Sequence, residues 1–252
     1  MTKRILATGI IAVCVLASRA DAQAPSANAA LRYWMAFAVM KDPPADQKTM
    51  ELLDRVGAGT SPWDEAKLGK ILDDNREALE GMQRASKLTS CDWGLEYELG
   101  PRTPVVYLAK ARVLGRLNAI SAARLASRGQ LAQAVDVWLA GVRFSQHVAH
   151  GGTLLSQLSA RLSLSPSLKS LARVAPQLDA ARRKEIAAVV SAIPEAGLDW
   201  VDAMRREAEV LALAKRMNPK ETAGMPSQTK VDSIAAEVRA ERKAVLVAVS
   251  RP

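Results

Sequence analysis

Apolar positions along this chain recur every three to four residues, with polar and charged side chains between them, and strictly alternating apolar–polar runs are missing. That period belongs to helices that bury one face. Ala, Leu, Arg, Glu and Lys dominate, and all are good helix formers. Punctuation divides the pattern. "KDPPAD" closes a first helix over 28–40. "GAGTSPWDE" stops a second helix, with Gly57 or Gly59 as its cap. It also opens a third: Ser61 is placed to cap, Pro62 suits the first helical position and Asp64 stands three residues after the cap. That third helix is expected to run to Lys87. Pro104 begins a helix reaching Ser127, "RGQ" turns the chain into another over 130–149, and "HGG" ends it. Pro166, Pro176 and Pro194 mark further boundaries. "MNPKETAGMPSQ" reads as a linker before a last helix over 228–249. The pattern predicts an all-α fold, an array or bundle of about nine helices packed as antiparallel hairpins.

One hairpin carries a family pattern. In residues 116–149, Ala122 and Leu125 lie on its first helix, Gly129 in the turn, and Ala134, Trp138 and Gly141 on its second. This resembles a tetratricopeptide-type unit, in which small residues let paired helices approach and an aromatic fills the groove between them. The closing proline of that pattern is missing, and no clean second copy follows at the expected period. The resemblance implies hairpin packing and, with it, a peptide-binding groove. As a whole the chain resembles exported all-helical proteins of bacteria, and that likeness implies no particular activity.

The first residues change the picture of where the protein works. "MTKR" is positively charged, "ILATGIIAVCVLA" is an apolar run of signal-peptide length, and "SRADAQA" places small residues at a cleavage spacing. Residues 1–22 are therefore expected to be a signal peptide, cut after Ala22 or Ala24, leaving an exported periplasmic or secreted chain with no transmembrane segment. Cleavage would remove Cys14 and leave Cys91 as the only cysteine, so no intramolecular disulfide can form. Stability must then come from a core, and a chain of this length buries about 70% of its unfolded surface. Aromatic residues concentrate between Tyr33 and Phe144, with Trp200 alone beyond. Two regions are expected: an aromatic-rich main body over 23–150 and a Leu-, Ala- and Val-rich region over 151–252, either separate or continuous with the first.

Charge is uneven. The chain carries a formal +9, and loss of Lys3, Arg4, Arg19 and Asp21 with the leader lowers this to +7. Residues 23–100 hold 9 basic and 13 acidic side chains, whereas residues 101–172 hold 9 basic ones and a single acid, Asp136. Within the basic third, Arg112, Arg116, Arg124 and Arg128 stand at multiples of four and form a stripe on one helix. The stripe either pairs with acids of the third helix (Asp73, Asp74, Glu77, Glu80) or offers an anion-binding face to a protein partner or an anionic envelope component. Nucleic acid is not the expected partner, because export would keep the protein from it and no aromatics are interleaved with the arginines.

Candidate chemistry is confined to "TSCDWGLEYELGP", residues 89–101. Cys91 would need a base to act as a nucleophile. The two histidines, His147 and His150, stand three apart on one helix and could join Cys91 around a metal, without any supporting ligand spacing. Asp92, Glu96 and Glu98 offer carboxylates for envelope hydrolysis, without a sugar-binding aromatic cluster beside them. A packed joint accounts for more of the residues. Cys91 would be a small buried hydrophobe, Trp93 an anchor, and Asp92 a partner for local backbone donors. The expectation is an exported scaffold or binding module without a cofactor, with hydrolysis at Asp92, Glu96 and Glu98 as the alternative. Sequence leaves the oligomeric state open.

Overall fold

The structure, a computed structural model, describes residues 27–194, 198–218 and 227–251. The expected signal peptide and its cleavage site lie outside the described residues, as does most of the expected linker. Ten α-helices are present among the described residues, and no strand: α1 (Ala29–Val39), α2 (Gln47–Gly57), α3 (Glu65–Asp74), α4 (Arg76–Ala85), α5 (Tyr107–Ser127), α6 (Leu131–Ala149), α7 (Leu154–Val174), α8 (Ala180–Ser191), α9 (Trp200–Met217) and α10 (Gln228–Ser250). Short 3₁₀ turns occupy Tyr97–Arg102 and Ala175–Gln177. The all-α expectation holds.

Most starts are set by a side chain that accepts one of the helix's orphan N–H groups. Asn28, Asp46, Asp64, Asp179, Asp199 and Ser227 cap α1, α2, α3, α8, α9 and α10 in this way. The third helix therefore begins behind Asp64, not behind Ser61, and the helix expected from Pro104 begins at Tyr107. The expected long third helix is also broken. Asn75 lies between α3 and α4 at φ −112°, ψ 13°. Its buried amide donates to the Ile71 carbonyl and accepts the Lys41 N–H, both within 2.9 Å. An Asn side chain that competes for backbone groups interrupts a helix, and here it also fastens the connection after α1.

Pro166 does not mark a boundary as expected; it lies inside α7. It removes one backbone donor, normally a cost of about 3 kcal/mol in a helix interior. Two features offset this. Leu162, whose carbonyl loses its partner, is exposed to water, and α7 packs along α5, α6 and α10.

The centre is the α5–α6–α7 group, with α2 against α5, α1 against α4, and α10 along α7 and α8. Close approach rests on small residues. A Cβ on Gly115 would collide with Ser163, and one on Gly141 would sit 2.6 Å from Ser167 Oγ and 2.9 Å from Asn118 Nδ2. Serines 156, 159, 163, 167 and 170 form the buried face of α7. One hydrophobic cluster runs from Ala29 to Val245, so buried residues on both sides of position 150 share it.

Candidate functional site

The segment after α4 folds from local chemistry. Asp92 Oδ1 accepts the Gly94 N–H at 2.9 Å, and Gly94 takes φ +64°, an angle that glycine adopts without strain. Ser90 runs parallel to Asn28, and the Ala29 N–H donates to the Ser90 carbonyl at 2.7 Å. Trp93 then enters the core. Its indole N–H donates to the His147 carbonyl at 2.8 Å, and its ring stacks on Tyr107 with centroids 4.2 Å apart. Tyr97 donates its hydroxyl to the Gly151 carbonyl at 2.8 Å. "TSCDWGLEYELGP" thus joins α1, α6 and the turn between α6 and α7 by defined bonds.

Its carboxylates do not converge. Asp92, Glu96 and Glu98 are exposed, and none of them lines the large cleft beside Ser86–Cys91. Asp92 is engaged by its own turn.

The arginine stripe is largely paired. Arg116 makes two hydrogen bonds to Asp54 of α2, at 2.7 and 3.1 Å. Arg124 meets Asp73 at 2.8 Å and Glu65 more closely still, with its guanidinium 5.7 Å from the Trp63 ring centroid. Arg128 reaches Glu65 at 3.1 Å. These bonds hold the Glu65 and Asp73 carboxyls below their usual range. Of the four acids singled out by sequence, only Asp73 meets the stripe. Asp74 pairs with Lys70 and Lys41, and Glu80 with Arg84. Arg112 is exposed and makes no ion pair among the described residues.

A cleft of about 810 Å³ opens among the described residues. Its floor is one face of α6, where Arg143, Gln146, His147 and His150 follow at offsets of three, four and seven. One wall is the segment Ser86–Cys91. The other is the end of α8 and its continuation, Ala188, Val189, Ala192, Ile193 and Pro194, with Asp199 at the start of α9.

Cys91 and His147 therefore share the lining, but their chemistry is fixed. Burial, and then the Asp92 charge, push the Cys91 thiol up to about 12. Burial, and then the His150 charge, lower His147 to about 4. At neutral pH this is a thiol beside a neutral imidazole, not a thiolate–imidazolium pair. The Tyr33 hydroxyl lies 2.8 Å from His147 Nδ1. Burial keeps Tyr33 protonated, so this contact joins a neutral hydroxyl to the ring. Cys91, His147 and His150 all line the cleft, yet no three His, Cys, Asp or Glu among the described residues are grouped to hold a metal ion.

Two cations in the lining lack partners. Arg143 is half-buried and Lys87 exposed, and neither makes an ion pair among the described residues. The buried Gln146 Nε2 also has no acceptor there. Sequence reasoning missed Arg143, Lys87, Gln146 and the α8 wall. The available signal was the polar face Arg143–Gln146–His147–His150 on an otherwise apolar helix.

No helix among the described residues is long and apolar enough to cross a membrane. Compared with protein-family models, curated proteins and solved structures, the chain matches none.

Proposed function

We propose that this protein is an exported, non-catalytic binding module and that its ligand occupies the cleft between the Ser86–Cys91 segment, α6 and the end of α8. One observation carries the reading: a cleft of about 810 Å³ joins an apolar wall to cations that have no carboxylate partner among the described residues. Ligand sites are mostly apolar hollows of about 300–1,000 Å³ with a few convergent polar groups. A catalytic reading finds little support, since Cys91 is held as a thiol, His147 as a neutral ring, and Asp92, Glu96 and Glu98 point to solvent elsewhere. Binding through the arginine stripe is also disfavoured, because Arg116, Arg124 and Arg128 already have carboxylate partners. Export is supported by the charged start, apolar run and small-residue site of residues 1–24.

The test is a fragment screen on the labelled chain, followed by amide NMR shifts. Shifts clustered on residues 86–91, 142–150 and 188–194, and abolished by Ala188→Trp, support the cleft. Ala188 is exposed on that wall, so the indole fills the opening without entering the core. Shifts clustered instead on Arg112–Arg128 or around Glu96 and Glu98 would overturn the reading.

A further inference from the structure

Resting on that reading of the cleft, we propose that its occupant is a single-chain amphiphile: a carboxylate head on an unbranched alkyl tail. The head is set by Arg143. Arg143 is half-buried as a residue, and its guanidinium has no acceptor among the described residues, although cations that lose contact with water are normally paired. A planar carboxylate satisfies a guanidinium with two parallel hydrogen bonds. Lys87 adds a second cation, and Gln146 Nε2 is a donor without a partner. The opposing charge in the lining is Asp199, whose Oδ1 already accepts the Asp202 N–H as the cap of α9. The fixed charges of the lining therefore favour an anion.

The tail follows from the walls. Leu88, Ala188, Val189 and Ala192 present aliphatic surface, backed by the buried Val142 and Ile193. Among the described residues no Phe, Tyr or Trp lines the cleft, and its only flat rings are the imidazoles of His147 and His150, so flat rings and sugars lack the large aromatic platforms on which they usually stack. A flexible alkyl chain is the ligand shape that such walls hold, and its burial adds binding in proportion to length.

The experiment is calorimetric titration at low salt, with every ligand kept below its micelle-forming concentration. Octanoate, decanoate and dodecanoate are compared with decanol and decyltrimethylammonium, on the wild type and on Arg143→Gln, Arg143→Lys and Ala188→Trp. Affinity should rise about threefold to fourfold for each added methylene. Decanoate should bind at least about tenfold more tightly than decanol, as a charge-assisted contact requires, and the quaternary amine should not bind. Arg143→Gln should remove the preference for decanoate and keep the dependence on length. Arg143→Lys should retain part of the preference, which separates lost charge from lost folding.

Equal binding of decanol and decanoate would overturn the proposal, as would an unchanged preference in Arg143→Gln. In either case, fragment binding blocked by Ala188→Trp would leave the cleft reading standing. Binding that Ala188→Trp does not weaken, for alkyl ligands and fragments alike, would sink both.

Discussion

The side-chain amide of Asn28 grips the backbone of Asp92 from both sides: Nδ2 donates to the Asp92 carbonyl and Oδ1 accepts the Asp92 N–H, each at 2.8 Å. The same Oδ1 caps α1 through the Ala30 N–H. One residue thus starts a helix and fixes a segment 64 positions later. Asn28→Ala should cost about 1–3 kcal/mol, a lost cap together with lost long-range bonds. Asn28→Asp keeps the acceptor and loses only the donor, so its denaturant midpoint should fall between wild type and alanine. Equal midpoints for alanine and wild type would show that the clasp does not stabilise the fold.

Cys91 should behave as a structural thiol. Burial, and then the Asp92 charge, push its thiol up to about 12, so little thiolate is present at neutral pH. A thiol reagent should react slowly with the native chain and fast after denaturation. The sign that this is wrong would be a native rate matching that of an exposed cysteine.

His147 makes stability depend on pH in a defined window. Its folded pKa is about 4, against an ordinary value near 6.5. Between those values the unfolded chain binds the extra proton, so stability is fully present above 6.5 and is lost as pH falls toward 4. The full effect is on the order of 3 kcal/mol. His147→Asn offers Tyr33 an acceptor without a titrating ring, and its melting temperature should fall less steeply across that window. Parallel pH profiles would assign the slope to other groups.

Charge reversals along α5 should differ by position. Arg124 contacts Glu65, Asp73 and the face of Trp63, whereas Arg112 has no ion pair among the described residues. Arg124→Glu should lower the melting temperature clearly, and Arg112→Glu hardly at all. Adding Glu65→Lys and Asp73→Lys should recover much of the loss in the first case, because contacting charges couple. Equal effects at both positions would contradict this.

Export predicts a mature N-terminus at Gln23 or Pro25 in the native host. N-terminal sequencing decides it, and an intact Met1 on a cytoplasmic product would rule it out.

Helix identity was legible because Gly and Pro punctuate a strong 3.6-residue period. The last helix runs from Gln228 as read, and Pro176 falls in a 3₁₀ turn between helices. Asn75 and Pro166 were misread for opposite reasons. Asn75 breaks a helix through a hydrogen bond to Lys41, a partner that no local pattern announces. Pro166 is tolerated because three other helices hold α7 in place. The joint around Trp93 was readable, since a lone Cys, a Trp and a Gly in one loop are packing residues. The cleft was not. Its α8 wall consists of Ala188, Val189 and Ala192, which look like any helix surface until the chain brings them opposite His147.

The cleft is also a late event in the life of each molecule. Its three sides come from residues 86–91, 142–150 and 188–194 with Asp199, so more than a third of the chain separates the first side from the last. While the chain is made from its N-terminus, the Asn28–Asp92 clasp has both its members early, yet the second wall does not exist until α8 has emerged. On the proposed reading of the cleft, a chain cut before α8 lacks the second wall and has no site for the ligand.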